Sequence, residues 1–191
     1  AHANASATAG AVVLVANTGA TVEGSALWTY AAVGVISSVS PASGQIGTRV
    51  TLRGSNLRCS GNAVRSVLFN EVAASSVVAE NATHVVAVVS RGAAGPGDIK
   101  IICDTGAFIV ASSGWTYLVE GNVTRVLPNR GQEGTLVTIQ GQRLLGGGAS
   151  VSRVILKETP VQRVVRGNNS EVAVVAGYSS GGVGNVVIES D

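Results

Sequence analysis

The sequence predicts an all-β protein built on a tandem repeat, and three observations lead to this prediction. Apolar residues make up 46% of the 191 residues, but they are mostly Val and Ala, and β-branched residues favour strands. The 25 glycines and the 4% aromatic content are typical of short strands joined by tight turns. Finally, SALWTYAAVGVISSVSP at residues 25–41 returns as SSGWTYLVEGNVTRVLP at residues 112–128.

The repeat has a constant period of 87 residues, the spacing from Trp28 to Trp115, and it needs no gap. Ile36–Leu57 and Val123–Leu144 share ten identities in 22 positions, where chance gives roughly one or two, so the repeat is genuine. It predicts three parts: residues 1–34 are the last strands of an incomplete unit, residues 35–120 are a complete unit, and residues 121–191 are a unit without its last strand.

Turn signals in the complete unit recur every eight to twelve residues, which is the spacing of a sandwich of short antiparallel strands. Val50 and Leu52 alternate with polar neighbours, as half-buried strands do. The hairpin turn Asp104-Thr105-Gly106 is repeated as Asn17-Thr18-Gly19. The predicted strands are 36–40, 49–53, 64–70, 75–79, 84–90, 98–103 and 107–118.

The repeated motifs resemble those of the IPT/TIG domain. They are I-x-x-V-x-P, then G-x-x-G-T-x-V-T-[LI]-x-G-x-x-L, an apolar strand such as VRSVLFN, and a closing W-T-Y. The resemblance covers nearly the whole chain and implies tandem immunoglobulin-like β-sandwiches. The family occurs in plexin-type receptors, microbial surface proteins, starch-processing enzymes and Rel-type transcription factors, so the fold alone does not imply the function.

Cys59 and Cys103 are the only cysteines, and both lie in the complete unit. In the implied sandwich, the loop after the second strand and the end of the sixth strand lie at the same end. We therefore expect a disulfide and an oxidising compartment, with two buried free thiols as the alternative.

Four N-x-[ST] sequons, at Asn4, Asn81, Asn122 and Asn168, predict N-linked glycans on an exposed surface. Asn81 and Asn168 are 87 residues apart, which places both at the same turn of their units. The alternative is that these are ordinary Asn-rich turns.

The remaining composition argues against several functions. The net charge is +2 and the arginines are scattered, so no basic stripe predicts nucleic-acid binding. No apolar run is long enough for a membrane span. His2 and His84 have no second ligand or triad partner in their sequence settings, so we expect no metal, cofactor or enzymatic activity.

The first and third parts are complementary. Thr18–Val33 corresponds to the last strand of the complete unit, and this is the strand that the third unit lacks. Strand addition between copies predicts head-to-tail assembly, and adjoining repeats of one longer chain are the alternative. The predicted donor residues are Ala20, Val22, Leu27, Trp28 and Tyr30. One difficulty is that Ala11–Ala16 duplicates a strand the third unit already has.

Trp28 and Trp115 occupy equivalent positions, and we expect each to pack near the end of its strand and seal the junction with the next unit. The predicted junction residues of the complete unit are Trp115 and Tyr117. Stacking on carbohydrate is the alternative for the tryptophans.

These features predict an extracellular or cell-surface structural protein, a fibre or stalk subunit of tandem domains. The alternative is a ligand-binding segment of a cell-surface adhesion receptor, which would present an exposed apolar patch away from domain junctions. A polysaccharide-binding module of an enzyme is less favoured, because such a module needs paired surface aromatics.

Overall fold

The computed structural model describes residues 9–191, and every regular element in that range is a β-strand. The predicted all-β architecture is confirmed. Contacts divide the described chain into two compact units. The first holds the described residues through Ala42, with Arg49–Ser90 and Gly97–Trp115, and the second holds Ser43–Thr48, Arg91–Pro96 and Thr116–Asp191.

The described chain begins with a two-stranded hairpin of β1 (Ala9–Val15) and β2 (Thr21–Thr29), which forms an antiparallel sheet of its own. Its turn is closed by the amide of Ala16, which donates to the carbonyl of Ala20 at 2.8 Å. Gly19 adopts a φ of 86°, a left-handed conformation that glycine tolerates best. The predicted hairpin turn is thus confirmed.

The first domain is a sandwich of nine strands. They are β3 (Val35–Ser40), β4 (Ser43–Gly44), β5 (Arg49–Ser55), β6 (Val64–Phe69), β7 (Val72–Ala73), β8 (Ser76–Glu80), β9 (His84–Val88), β10 (Gly95–Cys103) and β11 (Phe108–Tyr117). One sheet has the order β3-β5-β9-β8, and the other has the order β4-β11-β10-β6-β7. Alternate residues of both sheets form its core, as in Val50, Leu52, Val85, Phe69, Ile99 and Ile101, all 0% exposed.

The second domain repeats this sandwich with seven strands. They are β12 (Asn122–Leu127), β13 (Leu136–Gln142), β14 (Val151–Leu156), β15 (Thr159–Pro160), β16 (Arg163–Gly167), β17 (Glu171–Val175) and β18 (Val186–Ser190). Its sheets have the orders β12-β13-β17-β16 and β15-β14-β18. Its core contains Val137, Ile139, Leu144, Val154, Val172 and Val174.

The two domains correspond strand for strand, except at one edge. The pairing of Val50 with Ala87 in the first domain returns as the pairing of Val137 with Val174 in the second. Within residues 9–191, however, the second domain has no strand equivalent to β4 or β11. Because β11 lies between β4 and β10 in the first domain, the outer edge of β18 has no neighbouring strand among the residues that the structure describes.

Candidate functional site

The last strand of the first domain, β11, shows what normally fills this edge. Its inward-facing residues Ile109, Trp115 and Tyr117 are 5%, 0% and 2% exposed. The ring of Trp115 packs edge-on against Phe69, with the ring centroids 5.2 Å apart. The burial of two large aromatic side chains makes β11 a major contributor to the core.

The end of β11 is also held through its backbone. Thr116 and Tyr117 pair in parallel with Ser43 and Gly44 of β4. The amide of Leu118 donates to the carbonyl of Gly44 at 2.7 Å. This strand is therefore fixed on both edges, by β4 on one side and β10 on the other.

The hairpin strand β2 reproduces the conformation of β11. Gly19 and Gly106 have φ values of 86° and 85° at equivalent turn positions. Further along, Ala26 and Ser113 share the left-handed conformation, with φ values of 54° and 53°. Local sequence is thus enough to give β2 the shape of a last strand, although within residues 9–191 it pairs with β1 alone.

The side chains of β2, together with Tyr30 directly after it, that correspond to buried residues of β11 are exposed. Val22, Trp28 and Tyr30 match Ile109, Trp115 and Tyr117, and they are 68%, 55% and 66% exposed. The rings of Trp28 and Tyr30 contact each other edge-on at 5.9 Å. Exposed aromatic and aliphatic side chains in one strip mark a surface that another apolar surface can cover.

The other two predicted donor residues have different counterparts. Ala20 corresponds to Ala107, and both are exposed. Leu27, 73% exposed, corresponds to Gly114 and is therefore an added side chain relative to the first domain. Whether the five residues act as donors stays a prediction.

At the edge beside β18, the second domain carries an open groove of about 1030 Å³. Its lining includes Val126, Pro128, Arg130, Gly131, Gln132, Val137, Leu156, Lys157, Ala176, Ser179, Gly184 and Val186. The equivalents of Gly131, Leu156 and Ser179 in the first domain are Gly44, Phe69 and Gly92, which lie against the end of β11. The groove is thus the counterpart of the space that the end of β11, with Trp115 and Tyr117, fills. These lining residues were not singled out from sequence, although mapping the neighbours of Trp115 through the repeat finds them.

Side-chain burial around the groove reflects the open edge. Phe69 and Ile99 are 0% exposed in the first domain, whereas their equivalents Leu156 and Val186 are only half-buried. Lost burial of apolar surface weakens a core in proportion to area. The second domain therefore stands to gain stability from any segment that covers this groove.

The predicted disulfide is present. Cys59 and Cys103 are bonded, with their Cα atoms 6.1 Å apart, and the bridge joins positions separated by 44 residues. At the same end of the domain, Arg58 makes a two-pronged ion pair with Glu80, with Nε to Oε2 at 2.7 Å. Hydrogen bonding to the Glu80 carboxylate raises the pKa of Arg58 above its ordinary value. Both features are confined to the first domain.

Three of the four sequons lie in the described part of the chain, and Asn4 lies outside it. Asn81, Asn122 and Asn168 are all exposed. The side-chain oxygens of Asn81 and Asn168 accept the amides of Thr83 and Ser170, both at 2.8 Å, so the two equivalent turns share one conformation. Glycan attachment at these positions stays a prediction.

The predicted junction residues lie at the end of β11. Trp115 packs against Phe69, which is a core position of its own domain. Tyr117 is buried, and this burial raises the pKa of its hydroxyl. A role of either residue at a domain junction stays a prediction.

Two kinds of site are not found in the described residues. No group of three or more His, Cys, Asp or Glu side chains in residues 9–191 is placed to hold a metal ion. In the same range, no helix is long and apolar enough to cross a membrane.

Several solved structures are similar to parts of this chain. They include the surface glycan-binding protein PbSGBP-B from Prevotella bryantii, with 13% identity, a TM-score of 0.37, and coverage of 83% of this chain and 40% of that one. A surface glycan-binding protein of a mixed-linkage glucan utilization locus from Bacteroides ovatus, solved with a mixed-linkage heptasaccharide, has 16% identity and a TM-score of 0.35, and the match covers 90% and 44% of the two chains. An auxiliary nutrient binding protein from Bacteroides thetaiotaomicron has 20% identity and a TM-score of 0.37, with coverage of 77% and 38%.

The chain thus spans about two fifths of the length of these proteins, and at such TM-scores the matches do not bear on function. No curated protein matches the sequence. The IPT/TIG domain family, in contrast, matches residues 35–117 and 122–191, which together are most of the chain. The protein belongs to the IPT/TIG family.

Proposed function

We propose that this protein is a non-enzymatic structural subunit of an extracellular fibre or stalk. Copies assemble head to tail, because the N-terminal segment of one copy supplies a strand to the C-terminal domain of the next. The exposed apolar strip of β2 is the observation that carries this proposal. An isolated two-stranded hairpin is at best marginally stable in water, and one that exposes Val22, Trp28 and Tyr30 gains from being covered.

The proposed contact joins two different surfaces of the chain. The donor is strand β2 of the hairpin before the first domain, and the acceptor is the edge of β18 in the second domain. A contact of this heterologous kind generates an open filament when the rotation between copies does not close a ring. Adjoining repeats of one longer polypeptide would meet the same need covalently.

An extracellular location is supported by the Cys59–Cys103 bond, since disulfides persist in oxidising compartments. The exposed sequons at Asn81, Asn122 and Asn168 are consistent with glycan partners on such a surface. The mass of the secreted chain before and after enzymatic removal of N-glycans tests this, and an unchanged mass would contradict glycosylation.

Electron microscopy of the native material, combined with its denatured mass under reducing conditions, tests the proposed function. Filaments composed of chains of 19.1 kDa plus glycan are the expected result. Filaments of much larger chains would favour covalent repeats. Discrete particles without filaments would contradict the structural role.

A ligand-binding segment of a cell-surface adhesion receptor is the second candidate. The observation that favours it is the groove beside β18, whose lining mixes apolar residues with Arg130, Gln132 and Lys157. Pockets with a few polar groups among apolar walls are typical of ligand sites. A chain that stays monomeric at high concentration and binds a soluble ligand at this groove would favour the second candidate.

A further inference from the structure

We propose that the groove of the second domain is a receptor for the Leu27-Trp28-Thr29-Tyr30 stretch of a second copy. This proposal rests on the proposed head-to-tail assembly. It adds which segment of β2 binds, in which register it pairs with the groove, and which side chains make it fit. Trp-Thr-Tyr occurs twice in the sequence, at residues 28–30 and 115–117. Trp115 and Tyr117 of the second occurrence are buried, which leaves the stretch in β2 as the accessible one.

The register follows from the repeat. In the first domain Thr116 and Tyr117 pair with Ser43 and Gly44, and a shift of 87 residues places Thr29 beside Arg130 and Tyr30 beside Gly131 of the acceptor. The ring contact also transfers: in the proposed complex Trp28 lies on Leu156, as Trp115 lies on Phe69 in the first domain.

The turn that presents this edge is already formed in the second domain. The amide of Gln45, next to β4, donates to the hydroxyl of Thr48 at 3.1 Å, and the amide of Gln132 donates to that of Thr135 at 3.0 Å. Residues 130–131 nevertheless form no strand, whereas Ser43–Gly44 does. The reason is that Ser43–Gly44 pairs with β11, whereas residues 130–131 have no such partner within residues 9–191. A segment counts as a strand only where its backbone hydrogen-bonds to another strand.

Leu27 provides a steric argument that the donor fits the second domain in particular. It replaces Gly114, where an added Cβ would lie 3.1 Å from the carbonyl oxygen of Ala111, 3.2 Å from Cβ of Ala111 and 3.2 Å from Cδ1 of Ile99. The carbonyl oxygen has a counterpart in the proposed complex, but the two side-chain atoms do not. Gly24 stands in place of Ala111 and has no Cβ, and Val186 stands in place of Ile99 and has no Cδ1.

The change from Phe69 to Leu156 removes further volume from the acceptor. The donor strand thus has a larger side chain at Leu27, and the acceptor has a smaller one at Leu156. The two changes in volume offset each other, which allows the close packing that a protein core requires. The same Leu27 in the first domain would crowd Ile99. The steric argument therefore favours the second domain over the first as the acceptor of β2.

One wall of the groove has to adjust. Tyr117 lies so close to Gly92 that a Cβ there would overlap its ring, and the equivalent of Gly92 is Ser179. Ser179 lies in a stretch without strand structure that contains Gly177, Gly181 and Gly182. Gly181 and Gly182 already adopt positive φ, so this stretch has the backbone freedom to admit Tyr30.

Binding also exchanges one strand neighbour for another. In the hairpin, β1 occupies the edge of β2 that corresponds to the β10 side of β11. Since that edge holds one neighbour at a time, β18 of the acceptor replaces β1. The backbone hydrogen bonds are roughly conserved in this exchange, and the burial of Trp28 and Tyr30 drives it.

A paired-cysteine experiment tests the register in the 191-residue chain. Thr29→Cys combined with Arg130→Cys places the two sulfurs within reach of a disulfide between copies. The control combines Thr21→Cys with Arg130→Cys, since Thr21 lies at the far end of β2, roughly 26 Å away at the strand rise. Each single variant controls for exchange with the native disulfide.

The expected result is a ladder of disulfide-linked multimers on non-reducing gels for Thr29→Cys/Arg130→Cys, at least about 10-fold more abundant than for the control pair. Equal ladders for both pairs, or no multimers, overturn the assigned register. A bond within one chain, seen as a monomer of changed mobility, overturns the assignment to a second copy.

A substitution distinguishes failure of this assignment from failure of the proposed function. Trp28→Ala removes an exposed side chain, and Leu14→Ala on β1, which is 65% exposed, is the matched control. We expect Trp28→Ala to raise the concentration needed for assembly by more than about 30-fold and Leu14→Ala by less than about 3-fold. If the unmodified chain forms filaments that both variants leave unchanged, head-to-tail assembly stands and the groove assignment fails. If the unmodified chain forms no assembly, both fail.

Discussion

The two domains of this chain are nearly the same sandwich, and they differ in whether the last strand is in place. The first domain has β11, and the core side chains of this domain, Phe69, Ile99 and Trp115, are fully buried. The second domain has no such strand within residues 9–191, and its equivalents Leu156 and Val186 are half-buried. The comparison teaches that one strand decides whether the core is closed, while the rest of the sandwich forms without it.

The largest expected effect is the loss of the aromatic residue that closes the first domain. Trp115→Ala removes a buried indole that contacts Phe69 and should lower the free energy of unfolding of the first domain by about 3–5 kcal/mol. Chemical denaturation measures this. Phe108→Ala on the same strand is the control, because Phe108 is 59% exposed and its loss should cost less than about 1 kcal/mol. Similar losses for both variants would contradict the role assigned to Trp115.

Removing the disulfide should narrow the difference in stability between the two domains, because it destabilises the first domain alone. Cys59→Ser with Cys103→Ser opens a loop with a sequence separation of 44, and the chain-entropy model gives a loss of about 3–4 kcal/mol, confined to the first domain. Fluorescence of the buried Trp115 reports this transition. An equal destabilisation of the second domain would show that the domains do not unfold separately.

Supplying the missing strand in the same chain should close the second domain. Residues 18–33 appended directly after Asp191 continue the repeat in register, because Asp191 corresponds to Asp104. We expect the second domain to gain about 2–4 kcal/mol, on the order of the burial of one valine and two aromatic side chains after the entropy of ordering, and filament formation to stop. The same extension with Trp28→Ala in the appended copy is the control. Continued assembly of a chain stabilised in this way would contradict strand complementation.

The smallest expected effect is at acid pH. The backbone amide and the hydroxyl of Ser150, followed by the amide of Ala149, hydrogen-bond the Asp191 carboxylate and hold its pKa below the ordinary 3.8. A lowered folded-state pKa stabilises the fold above the unfolded-state value, and this contribution disappears as the pH falls through the folded-state value. Asp191→Asn should therefore flatten the decline in second-domain stability below about pH 4. Identical pH profiles for the two proteins would contradict a stabilising role of the charge.

Much of the fold was predictable from sequence because the turn-forming residues recur in both copies of the repeat and mark where the strands begin and end. The predicted strand at 98–103 lies within β10, and the predicted strand at 107–118 is β11 with one extra residue at each end. The two-residue strands β4 and β7 were not predicted. They have no hydrophobic periodicity of their own, and β4 exists because β11 lies beside it.

The residues proposed as donors were named from the sequence, since the repeat aligns Val22, Trp28 and Tyr30 with a last strand, and their role as donors stays a prediction. The acceptor groove was not, because it depends on which side chains surround a missing strand. The fit of Leu27 in particular required knowing that Gly114 lies near Ile99 and Ala111 in three dimensions.

Hydrogen exchange of the backbone amides, measured as a function of protein concentration, tests the central claim most directly. If β2 exchanges β1 for β18 of another copy, protection of Val186–Ser190 should rise with concentration, and that of Ala9–Val15 should fall as β1 is released. Protection of the β5 and β9 amides, which pair within the first domain, should stay constant. A second domain whose β18 edge exchanges equally fast at all concentrations, while β1 keeps its protection, would contradict the claim that a second copy completes this sandwich.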